Sequence, residues 1–335
     1  MVSLYDGILV ANLGSPEELS LPAVKKYLTE FLTDKNVIDI PWPIRQFLVR
    51  AIIVPRRSKK TIQMYDKIWR ADGSPLTLYT ESFAHKLRKE IPIPIAVGMR
   101  YPFSSLQRAF ENLTQQGASN ILVFPLFPQY AMSTTQSLEQ AVAKLAKKFS
   151  VQVTVFPPYY NHSEWIKAQA KRVQPLIHEN PDFVLFSFHG IPIRHLKKAD
   201  KTNHCLSEQC CEVPSKAHLT CYQKHCIDSA NLIAKALNIP KEKFSIAYQS
   251  RFGRNWLSPH TDEVAVQLAK DGVSSLLVVS PSFVTDGLET LEELGIRLKE
   301  KFLQAGGKKF MLAPALNDSE EWIESATRMI TSFHA

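Results

Sequence analysis

The apolar residues of this chain fall into short runs that are separated by segments with helical spacing. Runs rich in β-branched and aromatic residues, closed by Gly or Pro, are typical of buried strands. The predicted strands are Ile8–Leu13, Ile93–Met99, Asn120–Phe127, Val151–Phe156, Val184–Phe188, Phe244–Tyr248, Ser274–Val279 and Phe310–Ala313. Between them, apolar residues recur at helical spacing, as at Val24, Leu28 and Leu32. Strands that alternate with helices predict an α/β fold with mostly parallel sheets.

Three motifs recur in the same order in the two halves of the chain. The matching pairs are Leu13–Pro16 with His189–Pro192, Met99–Tyr101 with Ser250–Phe252, and Leu122–Phe127 with Val278–Phe283. This repeat predicts two similar Rossmann-like, doubly wound domains, residues 1–150 and 151–335, with a cleft between them. We expect the last helix to pack back on the first domain.

His189 ends a predicted buried strand and precedes a turn through Gly190 and Pro192. In open α/β sheets, ligands bind outside the carboxyl ends of the strands. The counterpart of His189 in the first half is Leu13, so the repeated fold does not itself require a histidine there. We therefore interpret His189 as a candidate catalytic residue, the alternative being a histidine packed in the core.

The segment Thr285–Leu294 also follows a strand end in the second half. On a helix from Asp286 to Lys301, Glu289 and Glu293 are four residues apart and share a face. A histidine and a glutamate that converge at one sheet edge can bind a divalent metal or move protons. The alternative is a solvated acidic helix face.

Aromatic and polar residues surround an arginine at the end of the strand Phe244–Tyr248. The cluster contains Tyr248, Ser250, Arg251 and Trp256. Rings of this kind stack on flat ligands, and a guanidinium binds a carboxylate through two hydrogen bonds. The cluster predicts a binding site for a flat anion, the alternative being ordinary surface charge.

Five cysteines lie within one segment that interrupts the strand and helix alternation: Cys205, Cys210, Cys211, Cys221 and Cys226. An odd, clustered set argues against a framework of structural disulfides. Thiolates this close bind soft metals, either an iron–sulfur cluster or zinc, and the neighbouring histidines keep zinc open. The alternative is a set of free thiols.

The net charge, the lengths of the apolar runs and the N-terminal sequence limit the kinds of protein that this chain can be. The formal net charge of +8 favours anionic partners, but no nucleic-acid-binding motif is present. No apolar run of 18 residues exists, and the N-terminus lacks the features of a signal peptide. We expect a cytoplasmic protein. Residues 40–60 mix apolar side chains with a basic tail, which is typical of a membrane-facing helix or of an ordinary amphipathic segment.

Together these motifs resemble the ferrochelatase family over nearly the whole chain. The motifs that carry the resemblance are NLGSP (Asn12–Pro16), AVKKYLTEFLTD (Ala23–Asp34), GSPL (Gly73–Leu76), MRY (Met99–Tyr101), FPQYAMSTTQS (Phe127–Ser137), FSFHGIP (Phe186–Pro192), YQSRFG (Tyr248–Gly253) and TDGLETLEEL (Thr285–Leu294). The resemblance implies a lyase that inserts Fe²⁺ into protoporphyrin IX with release of two protons, the terminal step of haem biosynthesis. NLGSP is similar to the proteobacterial and eukaryotic branch.

The resemblance also implies roles for particular residues. His189 corresponds to the site histidine of the family, Glu289 to its metal-site glutamate, and Glu293 to a second acidic position. His189 and Glu289 would hold the Fe²⁺ substrate. Residues of the porphyrin lip correspond to Arg57, Lys60 and Tyr65, and the matching motifs place Met99, Arg100 and Tyr130 at the porphyrin. Gly287 departs from the family pattern, which often has His or Cys there, so this position supplies no third side-chain ligand.

Some members of the family carry a [2Fe–2S] cluster. The resemblance implies such a cluster here on four of the five cysteines, with zinc as the alternative and the choice of ligands open. It also implies protoporphyrin IX and Fe²⁺ as partners. From the composition of residues 40–60 we expect peripheral contact with the inner face of the membrane, with an ordinary amphipathic segment as the alternative. Two other functions stay open: a chelatase for coproporphyrin III or for cobalt or nickel, and a porphyrin- or haem-binding carrier without catalysis.

Overall fold

The computed structural model describes residues 4–253 and 255–334. It contains eight strands, each within two residues of its predicted bounds. They are β1 (Gly7–Asn12), β2 (Ile95–Met99), β3 (Asn120–Pro125), β4 (Gln152–Val155), β5 (Phe183–His189), β6 (Phe244–Gln249), β7 (Ser275–Val279) and β8 (Lys309–Leu312). The strands form two parallel sheets, with the orders β2-β1-β3-β4 and β6-β5-β7-β8. The predicted α/β class and the similarity of the two halves are therefore confirmed.

Twelve α-helices surround the two sheets in the part of the chain that the structure describes. They are α1 (Leu21–Thr33), α2 (Trp42–Phe47), α3 (Val54–Asp66), α4 (Pro75–Glu90), α5 (Phe103–Gln115), α6 (Ser137–Phe149), α7 (Ser163–Ile177), α8 (Ile193–Ala199), α9 (Tyr222–Ala236), α10 (Thr261–Lys270), α11 (Lys299–Gln304) and α12 (Glu320–Thr331). No helix within residues 4–253 and 255–334 is long and apolar enough to cross a bilayer.

Three further segments are π-helical: Leu48–Ile53, Met132–Gln136 and Leu288–Leu298. The last of these segments lies within the predicted helix Asp286–Lys301. The prediction of a helix was therefore right, but its π-helical form was not predicted. Wider π-helical turns are rare and often occur at functional sites. The segments Met132–Gln136 and Leu288–Leu298 follow the third strand of their respective sheets, which extends the internal repeat.

The chain divides into two compact units. The first contains residues 1–127, 132–157 and 317–335, and the second contains residues 128–131 and 158–316. Helix α12 therefore belongs to the first unit. In the second unit, the apolar faces of β5 and β7 pack against α10, the π-helical segment and α11 through residues such as Leu185, Val278, Leu294 and Phe302.

A buried polar network in the first unit uses one of the predicted substrate contacts. The Arg100 guanidinium lies 2.5 Å from the Asp34 carboxylate and donates to Ser137 Oγ at 2.8 Å. Tyr101 and Ser137 also donate to Asp34, each at 2.7 Å. The Arg100 side chain is only 15% exposed. The Arg100 charge therefore serves an internal ion pair, and its contact with the substrate stays a prediction.

The pKa of Asp34 lies below its ordinary value. Burial acts to raise this pKa, but hydrogen bonds from Ser137, from the Asn36 amide and from Tyr101, with the charge of Arg100, outweigh it. A carboxyl whose pKa is lowered by folding stabilises the fold above its ordinary pKa of 3.8. This stabilisation is lost as the pH falls through the lower value of the folded state.

We expect Asp34→Asn to lower the free energy of unfolding by roughly 3 kcal/mol, because it leaves the buried Arg100 charge without its counterion. Urea unfolding at pH 7 measures this change. Glu17→Gln is the matched control, since it breaks the exposed Lys26–Glu17 pair (2.8 Å) and should cost less than about 1 kcal/mol. Equal losses in the two variants would contradict a structural role for the Arg100–Asp34 pair.

Candidate active site

The strand order of the second sheet places two candidate residues at one edge. The chain runs from β5 outward to β6 and then back to β7 on the other side of β5. A reversal of this kind opens a crevice at the carboxyl ends of the two neighbouring strands. His189 is the last residue of β5, and Glu289 begins the π-helical segment that follows β7. The topology therefore explains why two residues far apart in sequence meet.

The hydrogen bond of the His189 ring defines the tautomer of its neutral form. Its Nδ1 atom lies 2.6 Å from the carbonyl oxygen of Gly190. A carbonyl oxygen can only accept a hydrogen bond, so Nδ1 carries a proton and Nε2 of the neutral ring is the free proton acceptor. The ring keeps partial access to solvent. His189 is thus oriented to receive a proton at Nε2.

The backbone around His189 is fixed by close packing. The His189 amide donates to Ser282 Oγ at 3.2 Å, and its carbonyl accepts from the Tyr222 hydroxyl at 2.8 Å. A Cβ atom on Gly190 would lie 2.9 Å from the Gln249 carbonyl oxygen and 3.4 Å from the Trp256 ring. Glycine is needed at this position because a side chain would come too close to the Gln249 carbonyl oxygen of the neighbouring strand.

Glu289 lies near His189 in a densely packed environment, although its side chain keeps some solvent exposure. Burial raises the pKa of Glu289, and the charge of Glu293 raises it further, whereas a charged His189 would lower it. This interaction places the imidazole and the carboxyl within electrostatic reach of each other. A carboxyl with a raised pKa exchanges protons closer to neutrality than an ordinary glutamate does.

The end of β6 anchors the acidic helix. The Gln249 amide donates to the Glu289 carbonyl at 2.9 Å, and Glu293 accepts from Ser250 N at 2.8 Å and from Ser250 Oγ at 2.6 Å. Ser250, which we predicted to contact the substrate, therefore holds Glu293 instead. Its φ of 62° is in the left-handed region, a strained conformation that is often found at functional sites.

A cavity of about 500 Å³ lies directly after the turn that contains His189. It is lined by Pro192, Ile193, Arg194, Lys197, Phe252, Gly253, Asn255 and Trp256. Trp256 was predicted as a substrate contact, but Arg194 and Lys197 were not. The sequence signal that could have identified Arg194 and Lys197 is their spacing of three positions near the start of α8, directly after the HGIP turn. The cavity combines cationic and aromatic groups, which suits a flat anion.

Three other predicted contacts do not belong to this cavity lining. Arg251 is exposed and pairs with Glu263 at 2.7 Å. Tyr248 is only 3% exposed, and stacking of its ring on a ligand stays a prediction. Tyr130 is partly exposed in the second unit, where its amide donates to His225 Nδ1 at 3.1 Å.

The remaining predicted contacts lie in the first unit. Arg57 and Lys60 are exposed on α3, which agrees with an accessible basic surface. Tyr65, on the same helix, is 5% exposed and packs edge-on against Trp69, with ring centroids 5.8 Å apart. Met99 is also buried at the end of β2. Packing thus leaves little of either side chain accessible, and the porphyrin contacts of Tyr65 and Met99 stay predictions.

Four of the five cysteines are neighbours. The Cys210 and Cys211 sulfurs are 3.9 Å apart. Hydrogen bonding by the Cys211 thiol lowers the pKa of Cys221 despite its burial, and Cys205 contributes in the same direction. Cys226 lies inside α9 and is fully buried, where burial raises the pKa of its thiol. Within residues 4–253 and 255–334, no group of three or more His, Cys, Asp or Glu side chains is arranged to hold a metal ion.

Comparisons with solved structures support the fold. The chain is similar to SirB from Bacillus subtilis with Fe³⁺, with a TM-score of 0.56 and 14% identity over 97% of this chain and 95% of that chain. It is also similar to the sirohydrochlorin chelatase SirB from Bacillus subtilis subspecies spizizenii in complex with cobalt, with a TM-score of 0.53 and 14% identity over 97% of this chain and 94% of that chain.

Comparisons of sequence are more specific. The family model described as Ferrochelatase matches residues 5–333. The chain is 39% identical over 328 residues to a ferrochelatase from Pseudomonas syringae pv. tomato, which covers 96% of each protein. It is 38% identical over 332 residues to a ferrochelatase from Coxiella burnetii, covering 96% of this chain and 92% of that protein. With the strand order and the His189–Glu289 pair in place, these matches show that the chain belongs to the ferrochelatase family.

Proposed function

We propose that the protein inserts Fe²⁺ into protoporphyrin IX and that His189 and Glu289 carry the reaction. The observation that carries this proposal is the placement of His189, whose Nδ1 is held by the Gly190 carbonyl, and of Glu289, whose pKa is raised by burial, after neighbouring strands at the carboxyl edge of one sheet. Family membership supplies iron and porphyrin as the substrates.

The proposed reaction exchanges two pyrrole protons for one iron ion. His189 Nε2 accepts a pyrrole proton as the metal enters. Glu289 and Glu293 form an acidic path that can hold Fe²⁺ or carry protons outward. Gly287 adds no ligand to this path, so the carboxylates and the imidazole supply its side-chain donors. The enzyme should favour a bent macrocycle, since bending exposes the ring lone pairs and resembles the transition state.

The cavity that follows the HGIP turn along the chain supports binding of a flat anion. Arg194 and Lys197 bring positive charge to one side of it, and Trp256 brings a ring. A propionate side chain of a porphyrin has the charge that these cations recognise. We assign Arg194, Lys197 and Trp256 to substrate binding on this basis.

His189→Ala should reduce iron insertion by at least about a hundredfold, since a positioned acid–base group contributes 10²–10⁴-fold. Porphyrin should still bind, because the cavity lining is unchanged. The measurement is an anaerobic assay with Fe²⁺ and protoporphyrin, paired with porphyrin fluorescence titration. His178→Ala, on an exposed ring at the end of α7, is the matched control. Near-normal turnover of the His189 variant would refute the assigned role.

Glu289→Gln should lower turnover by more than about tenfold and leave the shape of the site intact, because the amide has the size of the carboxyl but cannot exchange the proton. Glu292→Gln is an informative comparison. Glu292 is buried and bonds to Arg297 at 2.7 Å, so its loss should lower stability more than turnover. A smaller effect of Glu289→Gln on turnover than of Glu292→Gln would count against the carboxylate path.

The anaerobic assay with Fe²⁺ and protoporphyrin also distinguishes the proposed activity from the two alternative functions. A chelatase for coproporphyrin III would insert iron only into that ring, and a cobalt or nickel chelatase would require the other metal. A carrier would bind porphyrin and leave it unmetalated. The carrier is disfavoured by the acid–base pair, which binding alone does not need.

We further propose that Cys205, Cys210, Cys211 and Cys221 bind a [2Fe–2S] cluster. Four thiols supply the donor number that such a cluster uses, and two of the sulfurs, those of Cys210 and Cys211, are 3.9 Å apart. When bound, the cluster would supply a redox-active centre remote in sequence from Glu289. Cys226 is set apart from this group by its full burial inside α9.

The purified protein should be red-brown and absorb visible light before porphyrin is added. Cys211→Ser should abolish this absorption, whereas Cys226→Ser should leave it in place, because only the first sulfur belongs to the proposed ligand set. Elemental analysis gives the iron and zinc content. A colourless protein that contains zinc would reverse the assignment in favour of Zn²⁺.

Peripheral membrane contact through residues 40–60 stays a prediction. Three large apolar side chains on α2 support it, since Trp42, Ile44 and Phe47 are each more than half exposed. Exposed Arg50 and Arg56 follow on the same continuous helical segment and would favour anionic headgroups. Cytoplasmic location at the inner face of the membrane is proposed on the same basis.

A further inference from the structure

Arg297 follows the two candidate carboxylates along the π-helical segment Leu288–Leu298. Glu289, Glu293 and Arg297 succeed one another at intervals of four residues. The side chain of Glu293 is 22% exposed, whereas that of Arg297 is 41% exposed. A metal ion that approached Glu293 from solvent would therefore meet a guanidinium.

The π-helical form lets this one guanidinium contact two successive carboxylates. Arg297 Nε donates to Glu292 Oε2 at 2.7 Å, and a terminal nitrogen of the guanidinium lies 3.7 Å from Glu293 Oε2. Residues five apart lie on different sides of an α-helix, whereas a π-helix pairs residue i with residue i+5. The Glu292 side chain is 1% exposed, so its buried ion pair fixes the guanidinium beside Glu293.

The Glu293 carboxylate is already bound by hydrogen-bond donors. Its Oε1 accepts from the Ser250 amide at 2.8 Å, and its Oε2 accepts from Ser250 Oγ at 2.6 Å. The same Oε2 is the atom that lies 3.7 Å from Arg297. A divalent ion bound to Oε2 at about 2 Å would lie within roughly 6 Å of the guanidinium nitrogen and would also compete with Ser250.

We propose that Arg297 is a selectivity residue that keeps divalent metal ions off Glu293 and leaves Fe²⁺ to His189 and Glu289. This role rests on the proposed function, in which Glu293 either holds Fe²⁺ or carries protons. A divalent ion meets twice the repulsion that a single positive charge meets at the same distance. Arg297 thus removes the first of the two roles of Glu293.

Mn²⁺ binding in the absence of substrate tests this role, because Mn²⁺ prefers carboxylates to thiolates and electron paramagnetic resonance counts the bound ions. Glu289→Gln should weaken Mn²⁺ binding at least about tenfold, as the loss of a metal-site group does. Glu293→Gln should leave the Mn²⁺ affinity within about twofold, since this carboxylate holds no metal. A loss of affinity in Glu293→Gln as large as that in Glu289→Gln would overturn the proposal.

Removal of Arg297 should create the metal site that it prevents. Glu292→Gln is the parent for this test, because it avoids leaving a buried charge without its counterion. In that parent, Arg297→Gln should bind one further Mn²⁺ per chain at about 1 mM, the range of weak carboxylate sites, and adding Glu293→Gln should abolish this gain. Arg297→Lys should match the parent because it keeps the charge. No gain in the Arg297→Gln variant, or a gain that survives Glu293→Gln, would sink the proposal.

Lys301→Gln is the matched control, because it removes an exposed cation from the adjoining helix α11, where Lys301 pairs with Asp262 at 2.7 Å. It should leave the number of bound Mn²⁺ ions unchanged. In the anaerobic assay, Arg297→Gln in the same parent should raise KM for Fe²⁺ at least about threefold with KM for porphyrin unchanged, since a metal ion on Glu293 repels the one to be inserted. If the unsubstituted protein inserts no iron, the proposed function fails, but the number of bound Mn²⁺ ions still reports the role of Arg297.

Discussion

The reversal of strand order beside β5 is the constraint on which the site depends. A parallel sheet that grows first to one side and then to the other leaves a crevice where its two central strands end. Only there can a residue that closes β5 face one that follows β7. The first sheet has the same order, but Leu13 stands where His189 stands in the second. The fold therefore offers two such edges, and the acid–base chemistry is confined to one of them.

The polar groups around the site form a support that extends beyond the reacting residues. Ser187 links Gln249 to Thr261 through two buried hydrogen bonds of 2.8 Å, and Gln249 in turn holds the backbone of Glu289. Such networks rigidify a site when every member is satisfied. The strained Ser250 backbone belongs to the same support, since both its amide and its hydroxyl bind Glu293. Rigidity matters here because an imidazole and a carboxyl must keep their separation while a large ring enters.

Sequence reasoning predicted the strands, the internal repeat and the His189–Glu289 pair because each depends on local patterns or on topology. It did not predict which residues surround Arg100 and Tyr248. The Arg100–Asp34 ion pair and the burial of Tyr248 depend on residues that are distant in sequence. The π-helical form of the acidic segment likewise has no simple periodic signal. Arg194 and Lys197 were overlooked because the cavity that unites them with Trp256 forms only in three dimensions.

The thiol segment differs from the rest of the second unit in how little of it is packed. No residue from 201 to 216 is buried, whereas Ala217, Cys221 and Tyr222 are each at most 5% exposed. Segments with few buried apolar contacts open locally at low cost, independently of the global transition. Both sheets can thus reach their final form without the packing of residues 201–216. Binding of the proposed cluster to these sulfurs would then be a late step in maturation, added to a chain that is already folded.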